Sequence, residues 1–144
     1  MEQTTPKPTS MTAFFTRAVA NEGIRLDLEL PTGGKSGEWI HVLGIDSDRY
    51  RKAETALMRR LIDLAQIKED AVKDQSRTDE EITLAASLVD AWSFEEPCTT
   101  ENVITLFREA PQIQKLVDRA AFDRARFFNK DPENSSGTPS PNSG

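Results

Sequence analysis

The period of the apolar residues changes once along this chain, near Ile45, and that change limits the architectures open to it. Before it, Ile24, Leu26, Leu28 and Leu30 alternate with Arg25, Asp27 and Glu29, the period-two pattern of a strand with one face in the core. Pro31-Thr32-Gly33-Gly34-Lys35-Ser36-Gly37 supplies a turn. A second extended run, Glu38 to Ile45, carries Trp39, Ile40, Val42 and Leu43, so a β-hairpin is expected over about 24–45. A short helix over Phe14 to Asn21 precedes it, with Gly23 as its C-cap.

After Ile45 the apolar spacing becomes three and four. Asp46 or Ser47 is placed to cap a long helix reaching about Val72, with Tyr50, Ala53, Leu57, Leu61 and Leu64 on one face. Asp48 and Lys52, Arg59 and Asp63, and Glu69 and Lys73 stand four apart on its outer side. Asp74 to Arg77 forms a polar break. Thr78-Asp79-Glu80-Glu81 then has the form of a capping box, opening a second helix with Ile82, Ala85, Ala86, Val89 and Trp92 as its apolar side. Trp92 ends that series just before a loop that must fold back, so its ring is expected to be buried against the last helix. Thr99 caps a short helix carrying Val103, Ile104, Leu106 and Phe107. Pro111 suits the first position of the last one, whose apolar residues are Ile113, Leu116, Val117, Ala120, Phe127 and Phe128.

The expected fold class is therefore α+β, mainly α, an N-terminal β-hairpin followed by a bundle of four or five helices. At 144 residues the chain has the length of about one domain. A single domain is expected over 11–130, its helical part at about 46–129. Residues 1–10 and 131–144 lack the apolar periodicity that could offset their ordering entropy, so a disordered lead and a disordered tail are expected.

Charge and composition exclude several function classes. Eighteen Lys and Arg face 24 Asp and Glu, a net charge of -6, which disfavours general affinity for nucleic acid or an anionic membrane. No apolar run approaches the roughly 18 residues that span a bilayer, and the polar N-terminal stretch has no signal-peptide core. With one cysteine, Cys98, and one histidine, His41, neither an internal disulfide nor a structural zinc site is available. Lys73 to Asn102 has two basic and eight acidic residues, whereas Val103 to Lys130 has six basic and three acidic, so these segments can attract each other when packed together.

No motif carries a coherent chemistry. Thr32-Gly33-Gly34-Lys35-Ser36 ends like a phosphate-binding loop, but Glu29 stands where its first glycine belongs, and a strand follows instead of a helix. Asp46-Ser47-Asp48 opens like a calcium loop, yet Arg51 replaces its glycine and Leu57 its last carboxylate. Glu95 and Glu96 beside Cys98 should raise its thiol pKa. Asp79-Glu80-Glu81 fits the first turn of a helix. Asn134-Ser135-Ser136 is a glycosylation sequon without a secretion signal. Trp92, Phe107, Phe127 and Phe128 are core candidates. No catalytic, cofactor-binding or metal-binding residue is expected, the chain is expected not to be an enzyme, and the partner-binding surface is left open.

The order of short motifs is more informative than any one of them. Asn21-Glu22-Gly23-Ile24, Leu28, Pro31, Gly37-Glu38-Trp39, Gly44 and Asp46-Ser47-Asp48 lead into Ala91-Trp92, Thr99-Thr100-Glu101-Asn102, Leu106, Ala110-Pro111, Val117-Asp118 and Asp123-Arg124-Ala125-Arg126-Phe127-Phe128. Over about Asn21 to Phe128 this series resembles the tail assembly chaperones of long-tailed, siphovirus-type bacteriophages. It departs where the family usually has Ser/Thr-Pro-Glu-Asn, because Thr100 replaces the proline. The resemblance implies a non-enzymatic protein of the host cytoplasm, without cofactor, that binds the tape measure protein and keeps it soluble during tail tube assembly. Further partners it implies are the tail tube protein and a frameshifted longer form of the chain, and it is compatible with a homo-oligomer. Nucleic acid and membrane are not expected partners. The alternative is a small virion structural protein such as a head-tail joining component.

Overall fold

The computed structural model describes residues 7–66 and 70–129. A 3-10 turn at Met11–Phe14 leads into α1 (Arg17–Glu22), then β1 (Ile24–Glu29) and β2 (Lys35–Val42), α2 (Asp48–Leu64), α3 (Asp70–Ala86), β3 (Val89–Trp92), α4 (Thr100–Glu109), α5 (Pro111–Phe122) and α6 (Arg124–Phe128). The fold is mixed and mainly helical, with an antiparallel sheet of order β1-β2-β3.

The expected hairpin is present. Ile24 pairs with Val42 and Leu26 with Ile40, so Ile24, Leu26, Leu28, Ile40 and Val42, each 5% exposed or less, share one face. Val103 and Phe107 of α4, Ile113, Val117, Ala120 and Ala121 of α5, and Phe127 of α6 join them in one core. The opposite face is polar and aromatic, as period two requires. There Arg25 lies 5.2 Å over the Trp39 ring, and His41 Nδ1 meets Asp90 Oδ1 at 2.5 Å. β2 ends before Ile45 because the chain is handed to other partners. The Leu43 N–H donates to the Leu88 carbonyl at 2.7 Å and the Ile45 N–H to the Ala121 carbonyl at 3.3 Å.

The caps follow local chemistry. Ser47, fully buried, accepts from the Tyr50 N–H at the start of α2; Thr99 accepts from the Asn102 N–H at α4; Pro111 opens α5. The Gly23 N–H closes α1 on the Val19 carbonyl. That helix is shorter than expected, because Met11–Phe14 forms a separate 3-10 turn.

Several expectations are corrected. The long helix stops at Leu64, and Val72 belongs to α3, which passes without interruption through Asp74 to Arg77. That stretch contains no glycine or proline, and polar residues on an exposed helix face break no backbone hydrogen bond. Thr78 is accordingly not a cap, since its hydroxyl donates to the Asp74 carbonyl one turn back at 3.1 Å. Val89 and Trp92 are not helical but form β3. The Ser87 and Leu88 N–H groups donate to Leu84 and Ala85, an i to i−3 tightening that ends α3 and frees the next residues to pair with β2. The last helix is broken at Asp123 (φ −91°, ψ 87°) into α5 and α6, which brings the α-helices among the described residues to six instead of four or five.

Trp92 is half-buried instead of buried, and it lines a groove with residues of α4. Its indole N–H donates to the Glu96 carbonyl at 2.7 Å, and its ring meets Phe94 edge-on at 5.0 Å. The expected disorder of 131–144 and of 1–6, and the pairing of Glu69 with Lys73, lie outside the described residues.

Candidate partner-binding surfaces

Many of the ordered motif residues converge on one junction, where α1, the loop before α2, and α6 meet. Arg17 of α1 donates through Nε and Nη2 to Asp48 at 2.6 and 2.9 Å. Asn21 accepts from the Asp48 N–H at 2.8 Å while its amide donates to the Asp48 carboxylate. On the other side Arg124 of α6 holds Asp46 in the same two-pronged way at 2.6 and 3.0 Å. Asp46-Ser47-Asp48 is thus an arginine-clamped helix start and not a cation loop. Gly44 lies between these clamps, its N–H donating to the Ala20 carbonyl; a Cβ there would lie 2.9 Å from Ala20 Cβ and 3.3 Å from Phe127. The motif residues gathered here therefore hold the structure together.

The clamps set the acid response. The hydrogen bond from Arg124 holds the Asp46 carboxyl below the ordinary aspartate value near 3.8, helped by Thr16 and opposed by partial burial. Arg17 does the same for Asp48. Burial pushes Asp118 the other way, against a hydrogen bond from Gln114. A depressed folded pKa gives stability that is present above the unfolded value and lost as pH falls through the folded one. Asp118, being raised, contributes in the opposite sense, its share present at low pH and lost as pH rises through its folded value. Asp46→Asn is expected to melt below wild type at neutral pH, with the gap closing as pH falls below about 4. A gap that stays constant across this range would show that the clamp is not electrostatic.

The residues singled out for chemistry are scattered. Gly33 and Gly34 have positive φ in the hairpin turn, as does Gly37 within β2, and Lys35 begins β2, so no helix N-terminus faces Thr32–Ser36. Cys98 has a raised thiol pKa, but its burial is the main cause, with Asp90 adding and Arg49 opposing; Glu95 and Glu96 are not the origin. Asp79 and Glu80 lie inside α3 instead of in a first turn. Asp79 accepts from Arg108 of α4 at 3.0 Å and Glu80 from Arg60 of α2 at 3.2 Å. The first of these bridges joins the acidic segment to the basic one. Phe107 and Phe127 are buried, whereas Phe128 is 49% exposed. Among the described residues no three His, Cys, Asp or Glu side chains are grouped to hold a metal ion, and no helix there is long and apolar enough to cross a membrane.

What the surface offers is grooves. One of about 310 Å³ lies between α2 and α3, floored by Ala53, Ala56, Leu57 and Leu84 and rimmed by Arg49, Lys52, Arg60 and Glu80. A wider one of about 640 Å³ separates the outer edge of β1 from α5, with Asp27 and Glu29 on one wall and Lys115 and Arg119 on the other. A third, about 290 Å³, is formed by Trp92 and Phe94 against Leu106 and its neighbours on α4. Beyond Leu57 no side chain of α2 is buried, nor is any described side chain of α3 before Ala85. Met58 and Ile62 on that stretch are 58% and 67% exposed. The groove residues of α2 were legible as a row at helical spacing, 49, 52, 53, 56, 57 and 60, in which cations flank two alanines. Read for its core, the same helix shows only Ala53, Leu57 and their apolar neighbours. No family model, curated protein or solved structure matches the chain.

Proposed function

We propose that this chain is a phage tail assembly chaperone, a non-enzymatic protein of the host cytoplasm that binds helical segments of the tape measure protein and keeps them soluble while the tail tube assembles. The ordered motif series from Asn21 to Phe128 supports the family. The observation that carries the mode of action is the α2–α3 pair, whose outer half buries no described side chain and exposes Met58 and Ile62 beside an open, apolar-floored groove. An amphipathic helix laid on such a surface buries its apolar side without the receptor having to unfold. A net charge of -6 keeps a protein with exposed apolar residues from associating with itself.

Release matters as much as capture. An affinity of about micromolar per site lets the polymerising tube displace the chaperone, and several copies along one long client supply avidity. The test is co-expression of the tape measure protein with and without this chain, together with the protein content of purified particles. The client should be soluble only in the presence of the chain, and the chain should be missing from finished particles. A client equally soluble in both cases, with this chain present in mature particles at fixed copy number, would instead make it a joining component.

A further inference from the structure

We infer that the α2–α3 groove is built for an amphipathic helix with an acidic flank, whose carboxylates lie against Arg49 and Lys52. This rests on the reading above only in taking the partner to be helical. On a chain of net charge -6 the groove is locally of opposite sign, with three cations on its rim against Glu80 alone. Arg60 is committed to Glu80 across the groove, whereas among the described residues neither Arg49 nor Lys52 is in a salt bridge, and both are exposed. Positions 49, 52, 53, 56 and 60 fall on one side of α2, so the cations track about 16 Å of helix at 1.5 Å per residue. Ala53 and Ala56 between them let a second backbone approach closely. The floor of Leu57 and Leu84 accepts apolar side chains, while the rim accepts negative charge.

The other grooves do not select an acidic helix. The β1–α5 groove carries two carboxylates opposite two cations, which select no sign of charge, and the Trp92–Phe94 groove carries only carboxylates at Glu96 and Glu109. Nucleic acid fits the α2–α3 groove less well than a peptide, because an apolar floor offers a phosphate backbone nothing and no aromatic ring lines it for base stacking.

The test uses two synthetic helical peptides with the same leucine face, one flanked by glutamates and one by lysines, and a single-stranded oligonucleotide, titrated against the full chain. The glutamate peptide should bind at least about tenfold more tightly than the lysine peptide, the sum of two or three rim contacts each worth a few-fold. Its affinity should fall with added salt. Arg49→Glu/Lys52→Glu should invert the preference, and Arg49→Lys/Lys52→Arg should keep it. Both positions are exposed, so the reversed variant should unfold at the wild-type midpoint; if it does not, Lys52→Glu alone carries the comparison. Equal binding of the two peptides, a preference untouched by the reversal, or tighter binding of the oligonucleotide would overturn the inference. If the preference inverts but tape measure solubility never depends on the chain, the groove stands and the chaperone reading fails. If the client is soluble only when the chain is present and the two peptides bind alike, the chaperone reading stands and the groove fails.

Discussion

Phe107→Ala is expected to lower the unfolding free energy by about 3 to 5 kcal/mol, the range for truncating a fully buried aromatic ring. The ring is 1% exposed and shares its core with Val103, Val117, Ile40 and Leu88, residues from α4, α5, β2 and the turn before β3. These elements meet from several directions, so no one of them can move in to fill the space without leaving another contact, and the upper part of the range applies. Against a total of roughly 5 to 15 kcal/mol for a domain of ordinary stability, the loss removes a large share. Melting should fall by roughly 10 to 20 °C. Phe128→Ala is the matched control. That ring is 49% exposed, and its loss should cost less than about 1 kcal/mol. Similar losses for the two variants, measured by urea denaturation, would mean that Phe107 is not the packed centre described.

Gly23→Ala is the second large effect, and its origin is different. Gly23 has φ 77° and ψ −178°, a region that costs a residue with a Cβ about 1 to 3 kcal/mol in the backbone alone. The space is also occupied. A Cβ would stand 2.6 Å from His41 Cε1 and 2.7 Å from the Val42 carbonyl oxygen, and the second of these is backbone fixed in the sheet. Overpacking adds about 1 to 3 kcal/mol, so the total expected is about 2 to 6 kcal/mol. His41→Ala in the Gly23→Ala background separates the terms, because it relieves the ring contact but neither the carbonyl contact nor the φ. Partial rescue is expected in a double-mutant cycle, and complete rescue would place the whole cost on His41.

Where local chemistry had no rival, the chain was readable. Ser47, Thr99 and Pro111 mark helix starts that depend on the residue itself, and the alternation from Ile24 to Leu28 admits one strand facing one way. The reading failed where a local signal had to compete with a distant one. Ala85, Ala86, Val89 and Trp92 stand at helical spacing, and nothing near them shows that β2, some fifty residues earlier, offers an open edge for the last two. Thr78-Asp79-Glu80-Glu81 carries every residue of a capping box, yet α3 had already begun at Asp70 and the continuing backbone ladder outweighs one side-chain cap. The docking surface was less legible still. Whether Lys52 rims a groove or faces open water depends on where α3 lies, and only a weak polar seam of Glu80, Thr83 and Ser87 records that placement.

The arginine clamps have a consequence for synthesis. Asp46 must wait for Arg124, 78 residues further on, which at about 5 to 20 residues per second is roughly 4 to 16 seconds of translation. Through that interval the hairpin can close, because its partners are adjacent in sequence. The close contact of Ala20 with Gly44, however, has no Phe127 to cover it. The junction of α1 with the start of α2 is therefore completed only once α6 has been synthesised.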